Sequence, residues 1–144
     1  MGIISDFVVA TRDDALLYYQ LGLTAERHLP AGFDRAEYKN YVPPQLNMLW
    51  AVLRGEDWDV DRHGFEHICH WDDGSQILER FPDDFVSRLA GLNDISAELA
   101  TRTWVKVEEV RGTAEDHAPA LCDLRRLALN ALQDGKGLFL YLSL

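Results

Sequence analysis

The densest group of side chains able to bind a metal or move a proton lies in one short stretch: His63, His67, Cys69 and His70, with Asp61 and Glu66 beside them. On a helix, His63, His67 and His70 would share a face, and imidazole with thiolate is a donor set for zinc or another divalent ion. On a strand, His67 and Cys69 point the same way and His70 turns to the opposite face, which breaks up a three-histidine set. The flanking Phe65 and Trp71 favour the strand. They give His67 and Cys69 a core-like face on which Cys69 behaves as a small hydrophobe, and a hairpin would set His67 against Glu79. The expectation is therefore no cofactor. A zinc or other divalent centre on His63, His67, Cys69 and His70 is the alternative.

Other patterns match known chemistry less well. Asp57, Asp59 and Asp61 resemble the start of a calcium loop, but its sixth position is Arg62 where glycine is needed and its twelfth is Ile68 where glutamate is needed. Acidic pairs recur at Asp13-Asp14, Asp83-Asp84 and Glu115-Asp116. Each falls in the first turn of an expected helix, where carboxylates interact favourably with the positive helix end. There is no G-x-S-x-G, no G-x-G-x-x-G and no H-E-x-x-H, and Gly135-Lys136-Gly137 lacks the spacing of a phosphate loop. No residue is assigned a catalytic role. Residues 23–42 are irregular in pattern and rich in rings, so His28, Phe33, Tyr38, Lys39 and Tyr41 are the candidates for a binding lip, together with the exposed hairpin.

The elements that must position these groups read as follows. Ile3 to Ala10 is a buried strand, and Thr11 caps a helix that stops near Gly22. A single helical turn fits Asp34 to Lys39. Pro43-Pro44 opens a helix whose Leu46, Leu49, Trp50 and Leu53 fall on one stripe, ending at Gly55. Phe65 to Phe81 forms a hairpin about Asp72-Asp73-Gly74. A three-residue turn with Gly74 left-handed would pair Glu66 with Arg80, Ile68 with Leu78 and Cys69 with Ile77. Pro82 starts a short helix through Leu92. Asn93 caps another that carries Leu92, Ile95 and Leu99, and residues 103–110 read as either helix or strand. Thr113 and Asp116 cap a helix ending at Gly135, and Leu138 to Leu144 is a final strand. The sum is a single α+β domain over 1–144. Its small mixed sheet, built from an N-terminal strand, a central hairpin about 65–81 and a C-terminal strand, packs against four to five helices.

Composition bounds the rest. The chain has 144 residues, 47% hydrophobic and 26% charged, with a net charge of −10 from 14 basic and 24 acidic residues. That balance opposes nucleic acid and anionic membrane surfaces, whose binding draws on cations. No apolar run approaches the roughly 20 residues of a membrane span. Two cysteines without paired spacing, and an N-terminus without a basic region before its apolar run, point to a cytoplasmic protein. The expected function is non-enzymatic: an acidic domain that binds a protein partner or forms a homo-oligomer, for example an antitoxin-type or immunity-type partner of a basic protein.

Overall fold

The structure is a computed structural model and describes residues 2–22, 33–71, 73–107 and 109–144. His28, Pro30 and Gly32 of the ring-rich segment, and Asp72 of the hairpin turn, lie outside the described residues. In chain order the elements are β1 (Ile4–Ala10), α1 (Arg12–Gly22), β2 (Asp34–Lys39), α2 (Pro43–Arg54), β3 (Glu66–His70), β4 (Gln76–Arg80), α3 (Asp83–Ala90), α4 (Asp94–Trp104), α5 (Ala114–Gln133) and β5 (Gly137–Ser143). The strands form one sheet in the order β2-β1-β5-β4-β3. This is the expected α+β architecture, but every neighbouring pair is antiparallel, so the sheet is not mixed.

Local chemistry accounts for most element ends. α2 begins at its two prolines, whose missing N–H groups cost nothing in a first turn, and ends at Gly55 with φ 67°. Asn93 with Ser96 and Thr113 with Asp116 form reciprocal capping boxes at the starts of α4 and α5. Gly112, at φ 103°, is held to glycine twice over, because a Cβ there would lie 3.0 Å from the Asp116 carboxylate.

Each face of the sheet carries its own core. Phe7, Val9, Leu138, Leu140 and Leu142 point to one side and meet α2, α3, α4 and α5 around Trp104, Phe81 and Phe85. Val8, Ala10, Leu78, Phe139 and Tyr141 point to the other and meet Ala15, Tyr18 and Tyr19 of α1. β5, read as a buried final strand, is the middle of the sheet, and each of its residues from Leu138 to Leu142 is at most 7% exposed.

Four expectations need correction. Asp34–Lys39 is an edge strand rather than a helical turn. It pairs with β1 from Ile4↔Lys39 to Val9↔Asp34, and Ala36 and Tyr38 pack on the larger core. Polar ties to α5 hold it: Asp34 accepts from Arg126 (2.8 Å) and Asn130 (2.7 Å), and Tyr38 donates to Asp123. The α3 helix ends at Ala90, and Pro82 is its N-cap rather than its first residue. The α4 helix continues to Trp104, which removes the strand reading around 103–107, and it buries Ala100, Thr101 and Trp104. Ile95 and Leu99, assigned to its inner stripe, are 73% and 59% exposed.

The fourth correction concerns the hairpin. Glu66↔Arg80 and His67↔Glu79 pair as expected, but the register then slips to Cys69↔Leu78 and His70↔Ile77. A bulge at Ile68 is the cause. It lets two neighbours, Ile68 and Cys69, both pack on the α1-side core, which a regular strand forbids. The turn is accordingly longer by one residue, closed by the Trp71 N–H on the Gln76 carbonyl at 2.9 Å, with Gly74 left-handed at φ 72°.

Candidate interaction surface

α2 and α4 are tied together by Trp104, whose indole N–H donates to the Gln45 carbonyl at 2.9 Å. Outside that contact the two helices leave a pair of adjoining grooves that share Val52 and Thr103 as a common wall. One groove, of about 290 Å³, runs toward Leu53, Leu92 and Leu99. The other, of about 380 Å³, runs toward Met48, Ala51, Val107 and Trp58. Trp58, at the second groove, is 42% exposed, and Leu99, at the first, is 59% exposed. Large apolar groups left in water beside a groove mark a contact surface rather than a core.

The rim is acidic. Glu56, Asp57 and Glu109 line the second groove, and among the described residues no cation does, although Glu56 is itself paired with Arg54 at 3.1 Å and Arg62 at 3.3 Å. Asp57 and the side chain of Glu109 make no ion pair among the described residues, and Asp59 and Asp61 lie exposed on the same turn. Asp57, Asp59 and Asp61 thus stand together on one exposed acidic turn.

His63 holds that turn in place. It is 1% exposed, its Nδ1 accepts from the Asp59 N–H at 3.0 Å, and its Nε2 meets Glu56 at 3.1 Å. Its ring stands edge-on to Trp50, which stacks on Phe85 and donates to Asp84 at 2.9 Å. Hydrogen bonds from Arg54 and His63 keep the Glu56 carboxyl below its usual range. Burial pushes Asp84 upward, but hydrogen bonds from Trp50, Arg88 and Arg54 outweigh it and leave this carboxyl lowered.

A pH dependence follows. Glu56, Asp84, Asp116 and Asp73 all titrate below their ordinary values in the folded chain. The unfolded chain, with carboxyl pKa values of about 3.9–4.3, therefore binds protons first as pH drops. Their contribution is complete above pH ~5 and is lost as pH falls through about 4 and below. Burial raises Glu79, which works in the opposite sense. Urea midpoints at successive pH values should fall on acidification below about pH 4; a midpoint that stays flat to pH 3 would contradict the assignment.

The residues singled out by sequence are dispersed. His63 supports the acidic turn. Cys69 faces the α1-side core, and burial raises its thiol. His67 and His70 meet each other on the exposed edge strand β3. The set therefore does not converge, and among the described residues no three His, Cys, Asp or Glu groups are placed to hold a metal ion. Of the proposed lip, Phe33 packs edge-on against Tyr18, Tyr38 is fixed to Asp123, and Tyr41 is 7% exposed. Tyr41 donates to His117 Nδ1 at 2.7 Å, while His117 Nε2 binds the Arg111 carbonyl. Lys39 alone of the described four is exposed. Sequence reasoning missed Trp58 and put Leu99 on the inner face of its helix. The signal available was an unmatched tryptophan inside a run of acidic residues.

Two other cavities are less suited to recognition. The one between α4 and α5, about 490 Å³, has charged rims that neutralise themselves: Arg102 pairs with Glu98 at 2.6 Å and Arg125 with Asp94 at 3.1 Å. The one bordered by Arg12, Arg80 and Lys136 has Glu66 already seated between the two arginines, at 3.1 and 3.7 Å.

No helix among the described residues is long and apolar enough to cross a membrane. Comparison of the chain with known protein families, with curated proteins and with solved structures returned no match.

Proposed function

We propose that this protein is a non-enzymatic cytoplasmic binding domain that docks a basic protein partner on the α2–α4 surface. The observation that carries this reading is the adjoining pair of apolar grooves, bordered by exposed Trp58 and Leu99 and rimmed by Asp57 and Glu109, two carboxylates with no ion pair among the described residues. A partner that fits presents an apolar anchor flanked by lysine or arginine. The apolar grooves supply the binding energy and the acidic rim steers approach. The net charge of −10 acts in the same direction over longer range. An inhibitor-type or immunity-type partner of a basic enzyme is one concrete form of this role.

The test compares three baits in quantitative capture: wild type, Trp58→Ala, and the double variant Asp57→Lys/Glu109→Lys. The reading expects basic proteins retained by wild type, released by salt, and weakened about tenfold by either variant, a change of roughly 1.4 kcal/mol. Trp58 is substantially solvated, so the variant should keep wild-type stability within about 0.5 kcal/mol. Capture that is indifferent to both variants would overturn the surface. Self-association in sedimentation that Trp58→Ala abolishes would replace the basic partner with a second copy of the chain.

A further inference from the structure

We infer that His67 and His70 form a chelating pair for a late first-row divalent cation, with Glu79 as the residue that orients it. Residues three apart on a regular strand point to opposite faces. The bulge at Ile68 cancels one alternation and brings both rings to the same side of β3. His67 Nε2 then stands 2.9 Å from His70 Nδ1, with ring centroids 5.0 Å apart.

That spacing is what a shared ion requires. Two nitrogens, each about 2.0–2.1 Å from one ion and subtending roughly 90–110°, stand about 2.8–3.4 Å apart. In the free protein the same gap is closed by a hydrogen bond in which the His70 Nδ1–H donates to the His67 Nε2 lone pair, so the two nitrogens already face each other at close to chelating separation. A cation inserted there takes both nitrogens as ligands, and the His70 proton moves to its other nitrogen.

The third group acts through His67. Glu79 Oε2 lies 3.6 Å from His67 Nδ1, and the Glu79 side chain is only 15% exposed. A buried carboxylate facing Nδ1 favours the tautomer with its proton there, which leaves Nε2 as the donor atom. Carboxylate–histidine–metal arrangements use this relation to fix ring orientation and raise ligand basicity. His67 is 49% exposed on its side chain, so the remaining coordination positions open to water. Imidazole nitrogen with water suits nickel, copper or zinc and does not suit calcium or magnesium. The pair is separate from the α2–α4 surface and does not depend on the docking reading.

Isothermal titration of the full chain with nickel chloride, repeated with zinc chloride, tests the site. One saturable site per chain is expected. His67→Ala and His70→Ala should each weaken it at least tenfold, while Cys122→Ser leaves it unchanged. Glu79→Gln keeps both ligands, so a loss of about 10–100-fold in affinity there reports the orienting role. Urea unfolding of each variant confirms that the fold is retained. Wild-type binding no tighter than that of the His67→Ala/His70→Ala double variant would overturn the site. Unchanged affinity in Glu79→Gln would overturn the role of that carboxylate.

Discussion

Replacing Trp104 with alanine is expected to cost about 3–5 kcal/mol, the range for removing a large buried aromatic ring. Against a total stability of about 5–15 kcal/mol that is about a fifth or more of what the fold has. Trp104 is fully buried, stacks beside Tyr41 at 6.0 Å between centroids, and contacts the His117 ring at 5.2 Å. Its removal would open a cavity where α2, α4 and the start of α5 meet, and would delete the indole hydrogen bond to the Gln45 carbonyl that ties α4 to α2. Trp104→Phe separates the two effects. It keeps most of the apolar volume and should cost about 0.5–1.5 kcal/mol, mainly for the lost indole hydrogen bond. Urea unfolding followed by far-ultraviolet circular dichroism measures both. A Trp104→Ala loss under 1 kcal/mol would show that the helices close over the gap.

Tyr18→Phe is the second large effect, at about 1.5–3 kcal/mol for a hydrogen bond to a charged group. The Tyr18 hydroxyl donates to Asp6, and Arg35 donates to the same oxygen at 3.2 Å. Asp6 itself is 2% exposed and lies 3.7 Å from Arg35. Burial first, then the bond to Asp6, pushes the phenol far above its ordinary range. The hydroxyl therefore stays a donor wherever the protein is folded. Removing it takes one donor from a buried carboxylate without disturbing the ring, which still packs on Phe33 and Tyr141. A chemical-denaturation difference below 0.5 kcal/mol at neutral pH would mean another donor replaces it.

Local signals located most elements. The α2 stripe with its prolines and Gly55, the capping pairs at Asn93 and Thr113, and the apolar run of β5 each state their own structure within a few residues. What escaped was decided at long range. The segment Asp34–Lys39 carries alternating charges, which suit a protected sheet edge, yet nothing in it announces its pairing with β1 or its bonds to Arg126 and Asn130. The bulge at Ile68 turns two adjacent side chains to the core that α1 covers, a core assembled from residues far away in sequence. Ile95 and Leu99 fit a helical stripe, but Ala100 and Trp104 give α4 its closest approach to α2 and α5, and that rotates the stripe outward. The candidate surface was illegible for the same reason, since it exists only where α2, α4 and the turn after α2 come together. The histidine cluster was visible in sequence, but the bulge decides which of its members meet.

The position of β5 has a consequence for how the chain is made. Before Gly137–Ser143 leaves the ribosome, β1 and β4 can each pair only with β2 and β3, and the sheet is split into two ribbons with a strand-wide gap. Both ribbons then expose an apolar edge, which is the form of strand most prone to pairing with a foreign chain. The last strand seals them in one step, through contacts that span nearly the whole sequence, so assembly should be slow for a domain of this size. A nascent chain stalled at the end of α5 is therefore expected to be the form most open to mispairing.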